Sequence, residues 1–146
     1  YNYECKSRQR PRLMFGTDVS EAMAAERMGV VYKDLDGTPI PALAIAQKYG
    51  HEWARVRVMV DPDRRYGLFQ DLDYVLAMAN DVKRNYDMKL LLDFHYSHWW
   101  TDPSNQWIPL SWRKRTRDGK ELLPSLKELQ GHIYNHTYEF MEALLA

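Results

Sequence analysis

Leu90-Leu91-Leu92-Asp93-Phe94-His95-Tyr96-Ser97-His98-Trp99-Trp100-Thr101-Asp102-Pro103 is an apolar run that ends abruptly in polar and aromatic residues and breaks at Asp-Pro. This is the pattern of a buried parallel strand whose C-terminal end carries a site. Because side chains alternate along a strand, Leu91, Asp93 and His95 share one face, and Leu92, Phe94 and Tyr96 share the other. A single buried Asp or His is more often a satisfied core residue than a functional one. Here Asp, His, Tyr, Ser, His and two Trp fall within eight positions, which turns the balance toward a site.

Working outward, Trp53 to Val60 reads as a strand with an unusual alternation. Trp53, Arg55, Arg57 and Met59 lie on one face, and Ala54, Val56, Val58 and Val60 on the other. If the charged face meets solvent, the arginines are a solvated edge. If the strand is central and parallel, they must find carboxylates or a ligand. Leu13 to Ser20 supplies a first short strand ending in Asp18, after which Ser20 is placed to cap a helix over Glu21 to Met28, with Glu21 in its first turn. Gly29 closes that helix. Asp34 to Pro41 is turn chemistry, Ala42 to Tyr49 a small helix, Asp61 to Gly67 a loop, and Asp71 to Tyr86 an amphipathic helix.

The succession strand, helix, strand, helix, strand, helix, without a hairpin signal, predicts an α/β fold of parallel strands joined by right-handed crossovers. No Gly-rich phosphate loop follows any strand, which favours a barrel-type βα series over a dinucleotide fold. In such a barrel the site lies at the C-terminal strand ends. Those ends offer Asp18, then Arg57 with Arg55 one layer deeper, then Asp93 and His95 followed by Tyr96, Trp99 and Trp100. Arg55 or Arg57 can pair with Asp93 or with a carboxylate from elsewhere, a geometry suited to a polar, neutral ligand.

Composition excludes less. At 146 residues, 27% charged and 45% hydrophobic, the chain is ordinary globular material. Lys plus Arg and Asp plus Glu number 20 each, so charge gives no reason to expect nucleic acid. No stretch reaches the length of a membrane span. Cys5 is the single cysteine, so no internal disulfide forms. The aromatic share of 13%, with five Trp and ten Tyr, is high and points weakly to carbohydrate, whose apolar ring faces stack on aromatic side chains. Tyr1 to Arg12 reads as a basic lead-in arm, and residues 13–146 as one partial barrel domain that stops before a fourth strand. The absence of an initial Met and of a signal peptide fits a processed or excised product.

Thr101 to Leu123 is a long connection that would wall the cleft, and its Arg113-Lys114-Arg115-Thr116-Arg117 run reads as a solvated turn leading to Asp118-Gly119. His132 to Ala146 reads as an amphipathic helix. His132 and His136, spaced i, i+4, read as packing residues because no third zinc ligand accompanies them. No metal or other cofactor is expected.

The segments Phe15-Gly16-Thr17-Asp18-Val19-Ser20, Ala54-Arg55-Val56-Arg57-Val58 and Leu91-Leu92-Asp93-Phe94-His95-Tyr96-Ser97, with Trp100, Asp102-Pro103, Gln106, Pro109 and Trp112, resemble the family 53 glycoside hydrolases. The resemblance runs from about Leu13 to the C-terminus, in the family's order. It implies an endo-β-1,4-galactanase acting on the galactan side chains of pectin, outside the cell or at its surface. It also implies a TIM-type (β/α)8 barrel, of which this chain is the N-terminal portion of about three βα units, and retaining hydrolysis by glutamates on the fourth and seventh strands.

By resemblance Arg55 supports the nucleophile, with Arg57 as competitor. His95 belongs to the sugar-binding floor, Trp100 and Asp102 to the loop beside it, and Asp18 to the end of the first strand. His98 departs from the family's usual Asp, Met59 from a common Trp and Glu52 from Asn, and Trp112 to Pro124 is longer and more basic. Glu21, Glu26, Glu121, Glu128, Glu139 and Glu142 fall away from strand ends, so neither family glutamate is expected in this chain, which alone should be inactive. Three readings follow: part of a longer hydrolase, a half-barrel completed by a second chain or oligomer, or a non-catalytic carbohydrate-binding or assembly module.

Overall fold

The computed structural model describes residues 13–146, so the basic arm of residues 1–12 lies outside the described residues. Three strands, β1 (Gly16–Asp18), β2 (Trp53–Met59) and β3 (Lys89–His95), form a parallel sheet in the order β1-β2-β3. Helices α1 (Ala22–Arg27) and α2 (Ala42–Lys48) connect β1 to β2, α3 (Leu72–Tyr86) connects β2 to β3, and α4 (Leu126–Leu145) follows the long loop.

The alternation of β2 decides how the layers stack. Ala54, Val56 and Val58 are fully buried and meet Val75, Met78 and Val82 of α3 in one core with Leu43, Ala46 and Phe140. The arginine face of β2 therefore looks away from the helices, toward the side that a closed barrel would enclose. Register makes that face a set of layers. Asp18 pairs with Arg55 across β1 and β2, and Arg57 with Asp93 and Met59 with His95 across β2 and β3. Aligned residues of parallel neighbours point to the same face, so these charges meet.

Gly16 lets β1 come this close to β2. A Cβ there would stand 2.4 Å from the Trp53 carbonyl oxygen and 2.7 Å from the Trp53 Cβ.

Four expectations change. Ser20 does not cap α1; Glu21 is the residue that precedes that helix, it makes no side-chain cap bond, and no acidic residue occupies the first turn. The Ser20 hydroxyl is taken by Asp18 and the Arg57 amide instead. The run after Arg113 is a solvated turn, with Lys114, Arg115 and Arg117 exposed, but it closes an unexpected small antiparallel hairpin, β4 (Lys114–Arg115) with β5 (Glu121–Leu122), at Gly119 with φ 84°. Its strands are too short to show alternation. Finally, α4 starts at Leu126, six residues before His132, behind a reciprocal capping box of Ser125 and Glu128.

By contrast, α3 begins as its sequence predicts, with the Asp71 carboxylate accepting the Tyr74 amide hydrogen at 3.1 Å and Asp73 in the first turn. Among the described residues no further strand pairs with the outer edges of β1 or β3. Met14, Phe15 and Leu91 are 63%, 51% and 41% exposed beside those edges. None of the described helices is long and apolar enough to cross a membrane.

Candidate functional site at the C-terminal strand ends

The sheet's open face carries a charge network centred on Arg55. One terminal guanidinium nitrogen of Arg55 donates to Asp18 Oδ2 and the other to Asp93 Oδ2, so one side chain ties β1 to β3 across β2. Arg57 stands 3.2 Å from Asp18 Oδ2 through Nη2, and its guanidinium lies 4.9 Å from the centre of the Trp100 ring. Two arginines face two carboxylates, which cancels the charge of the cluster.

These side chains are half-buried, with 34% of Arg55, 29% of Asp18 and 33% of Asp93 exposed. They therefore remain within reach of a ligand. A guanidinium carries five N–H donors, and the two carboxylates engage both terminal nitrogens, leaving further donors for a third acceptor.

His95 extends the network by one layer and is its most buried member, 12% exposed. Its Nε2 is 2.9 Å from Asp93 Oδ2 and its Nδ1 is 2.8 Å from the Thr101 hydroxyl. An ionised carboxylate only accepts, so Nε2 carries a proton and, in the neutral ring, Nδ1 accepts from Thr101. Trp100 meets the His95 ring edge-on at 6.4 Å. Asp18 is tuned in the opposite sense to its burial. Desolvation alone would raise its pKa, but hydrogen bonds from the Ser20 hydroxyl at 2.6 Å and amide at 3.0 Å, with the positive charges of Arg57 and Arg55, hold it below the ordinary value.

Asp18, Arg55, Arg57, Asp93, His95 and Trp100 are thus brought together. Tyr96 and Asp102 are not part of that cluster. The next position along from His95, Tyr96 turns to the helix side, where its hydroxyl is 2.9 Å from Thr137 Oγ1 and its ring stacks on Phe94. Asp102 is exposed and accepts hydrogen bonds from Ser104 and Asn105 within its own loop. Both residues border a recess of about 660 Å³ that also reaches His95, Gln106, Trp107 and Trp112.

The wall of that recess is anchored at two points. Thr101 is held at His95, and Trp112, only 8% exposed, stacks on His132 at 5.1 Å with the rings 8° apart. His136 packs edge-on against Trp112, Phe94 and Tyr96, and desolvation lowers its pKa below the ordinary imidazole value. Arg113 braces the same loop by donating to the Ile108 carbonyl oxygen at 3.0 and 2.9 Å. No group of three or more His, Cys, Asp or Glu side chains able to hold a metal occurs among the described residues.

From sequence Ser20 reads as a helix cap and Thr101 only as the start of the long loop, and neither as a site residue. The i, i+2 spacing of Asp18 and Ser20 is a signal that could have found the first, since short polar side chains at that spacing bond locally. Nothing in the sequence around Thr101 distinguishes it from a loop residue.

Relatives carry the same framework. A probable arabinogalactan endo-β-1,4-galactanase A of Neosartorya fischeri is 35% identical over 125 residues, 85% of this chain and 31% of that protein. An arabinogalactan endo-β-1,4-galactanase of Humicola insolens is 34% identical over 128 residues, covering 86% and 34%. Among solved structures, a fungal β-1,4-galactanase superposes with a TM-score of 0.70 at 32% identity, over 86% of this chain and 33% of that one. The family 53 catalytic domain of Ignisphaera aggregans superposes with a TM-score of 0.74 at 32% identity, over 92% and 37%. The chain spans about a third of the length of the curated relatives it matches. Its three parallel strands with their helices are therefore part of the α/β barrel of those structures. The model of glycosyl hydrolase family 53 matches residues 14–146, and the chain belongs to that family.

Proposed function

We propose that this chain is the substrate-holding first third of an endo-β-1,4-galactanase that cleaves galactan or arabinogalactan side chains with retention of configuration. The observation that carries the reading is the Arg55 guanidinium bonded to Asp18 and Asp93 on the rim that also presents His95 and Trp100. A neutral, self-compensated polar floor beside an aromatic ring suits an uncharged sugar, and relatives that share the framework are named as galactanases.

In the whole enzyme one glutamate protonates the leaving oxygen while another attacks the anomeric carbon, and water then opens the covalent intermediate. Both glutamates are supplied from outside this chain. Glu26 accepts from the Ala42 amide and Glu128 caps α4, structural tasks that keep them from the role. Arg55 directs its remaining donors at the attacking carboxylate, fixing its position and keeping it ionised. His95, oriented by Asp93 and Thr101, offers its ring to a sugar near the cleavage point, and Trp100 and Asp102 hold the same unit from the loop. Tyr96 supports this floor from behind through Thr137.

The exposed Met14, Phe15 and Leu91 favour completion of the sheet by further strands, from the same polypeptide or from a second chain. In this reading residues 13–146 form a single partial barrel after a basic arm, and the enzyme acts outside the cell, where the polysaccharide lies.

The test is hydrolysis of β-1,4-galactan by the full-length protein, with the anomer of the first product read by NMR. Retention, and loss of activity by about a hundredfold or more in Arg55→Ala, are expected, the order for an uncompensated buried carboxylate. An inverted product, or cleavage of other glycans but not galactan, would overturn the reading. Galactan affinity without any hydrolysis would instead identify a non-catalytic carbohydrate-binding or assembly module.

A further inference from the structure

The loop after β2 presents Tyr66 in a way that the packing of the sheet does not require. Tyr66 ends a single 3-10 turn, Arg64–Tyr66, and is 66% exposed. It is nonetheless held. The Asp63 carboxylate accepts from the Arg65 amide at 3.1 Å, closing the turn, and grips the Arg65 side chain through Nε at 2.9 Å and Nη2 at 2.6 Å. The same guanidinium stands 5.9 Å from the centre of the Tyr66 ring. Gly67, at φ 76°, then turns the chain through the left-handed region.

From the neighbouring strand end, Trp99 meets Tyr66 edge to face, with ring centres 5.0 Å apart and planes at 90°. The main chain at Trp99 is held in turn, because its amide donates to Ser97 Oγ at 3.2 Å and Ser97 is 1% exposed. The Ser97 carbonyl accepts from the Val60 amide at 3.0 Å, which joins the loops after β2 and β3 at their roots. An exposed aromatic ring that is already immobilised loses little freedom when something stacks on it. Arg65 is neutralised by Asp63, so the platform has no charge to offer and suits the apolar face of a neutral ring. Trp99 is followed directly by Trp100, whose ring lies 4.9 Å from the Arg57 guanidinium, so one short stretch after β3 supplies rings to both places.

We propose that Tyr66 and Trp99 form an outer sugar-stacking subsite on the rim beyond the Arg57–Trp100 pair, taking a further neutral pyranose unit of the same polysaccharide. This rests on the galactanase reading for the identity of the sugar. It assigns the loop after β2 a part in gripping long chains.

The experiment compares Tyr66→Ala, Trp99→Ala and Trp99→Phe with the wild type in the full-length protein, on long β-1,4-galactan and on galactotriose. Tyr66→Ala and Trp99→Ala are expected to lower kcat/KM on the polymer about fivefold, chiefly through KM, with less than half that loss on the trisaccharide, the size of one aromatic contact. Trp99→Phe keeps a ring and recovers most of the loss. Equal losses on both substrates in Tyr66→Ala, or none on the polymer, overturn the subsite.

Should the wild type cleave no galactan, the galactanase reading fails separately, and retardation in native gels containing β-1,4-galactan, xyloglucan or mannan decides the subsite. Retardation that Tyr66→Ala weakens about fivefold upholds it. No retardation, or retardation that the variant leaves unchanged, overturns it.

Discussion

The imidazole of His95 is hydrogen-bonded to the carboxylate of Asp93, the residue two positions before it on the same face of β3, with Nε2 at 2.9 Å from Oδ2. Thr101 holds the opposite nitrogen at 2.8 Å, so the ring is fixed at both ends before any sugar arrives. Thr101→Val removes one end while keeping the volume. In the full-length protein it is expected to lower kcat/KM about fivefold, the worth of one hydrogen bond, with little change in melting temperature. Steady-state kinetics on galactan check this; wild-type values would show that Asp93 alone orients the ring.

Arg55 is expected to matter to stability as well as to activity. Arg55→Ala leaves Asp18 and Asp93 facing each other without their shared partner, and since all three are about a third exposed the cost is discounted to about 1–2 kcal/mol. Arg55→Lys keeps the charge but is a point donor where a planar fork spans two carboxylates, so it recovers less than half. Chemical denaturation of the three proteins gives the comparison, and equal midpoints would mean that water replaces the guanidinium.

The turn before α2 contributes to the acid sensitivity of the fold. Asp34 is 7% exposed and bonded to Lys48, to the Tyr49 hydroxyl at 2.7 Å and to the Leu35 amide at 2.8 Å, and these partners lower its pKa from 3.8 to about 2. A carboxylate whose pKa is lower in the folded state stabilises the fold above its unfolded pKa and loses that contribution as pH falls through the folded one. Asp34→Asn should therefore flatten the dependence of stability on pH between about 4 and about 2. Denaturation midpoints measured across that range test it; an unchanged slope would place the titration elsewhere.

Much of this arrangement was legible in the sequence because it depends on alternation. The arginines of β2 and the Asp93-His95 pair sit on one face because strands repeat every two residues, and a helix on the valine side leaves them a single direction to point. What was not legible depends on where short polar side chains turn. Ser20 stands just before a helix, where a cap is the usual use, yet the carboxylate of Asp18 two residues back and the Arg57 amide compete for its hydroxyl and win.

The early start of α4 did have a signal, Ser125 followed three residues later by Glu128, although Pro124 just before it and Gly131 within it interrupt the helical pattern. Ser125→Ala is accordingly expected to cost about 1 kcal/mol, measurable by thermal melting, although no site residue moves. A variant as stable as the wild type would show that Glu128 and Lys114 hold the helix start unaided.

Gly16 gives the sharpest test of the sheet. Gly16→Ala forces its new methyl into the Trp53 carbonyl, and backbone cannot step aside as a side chain can. A loss of about 1–3 kcal/mol is expected, with β1 drawn away from β2 and the Asp18 carboxylate drawn away from Arg55. Hydrogen exchange at the β2 amides that face β1 would register the change, and unaltered protection would refute it.

The long connection after β3 is pinned by Thr101 at its start and by Trp112, pressed flat on His132, at its middle. A segment strung between two such posts behaves as a bridge and not as a flap. The groove beside His95 is accordingly shaped when the polypeptide folds, and a glycan arriving there is selected by an outline that already exists.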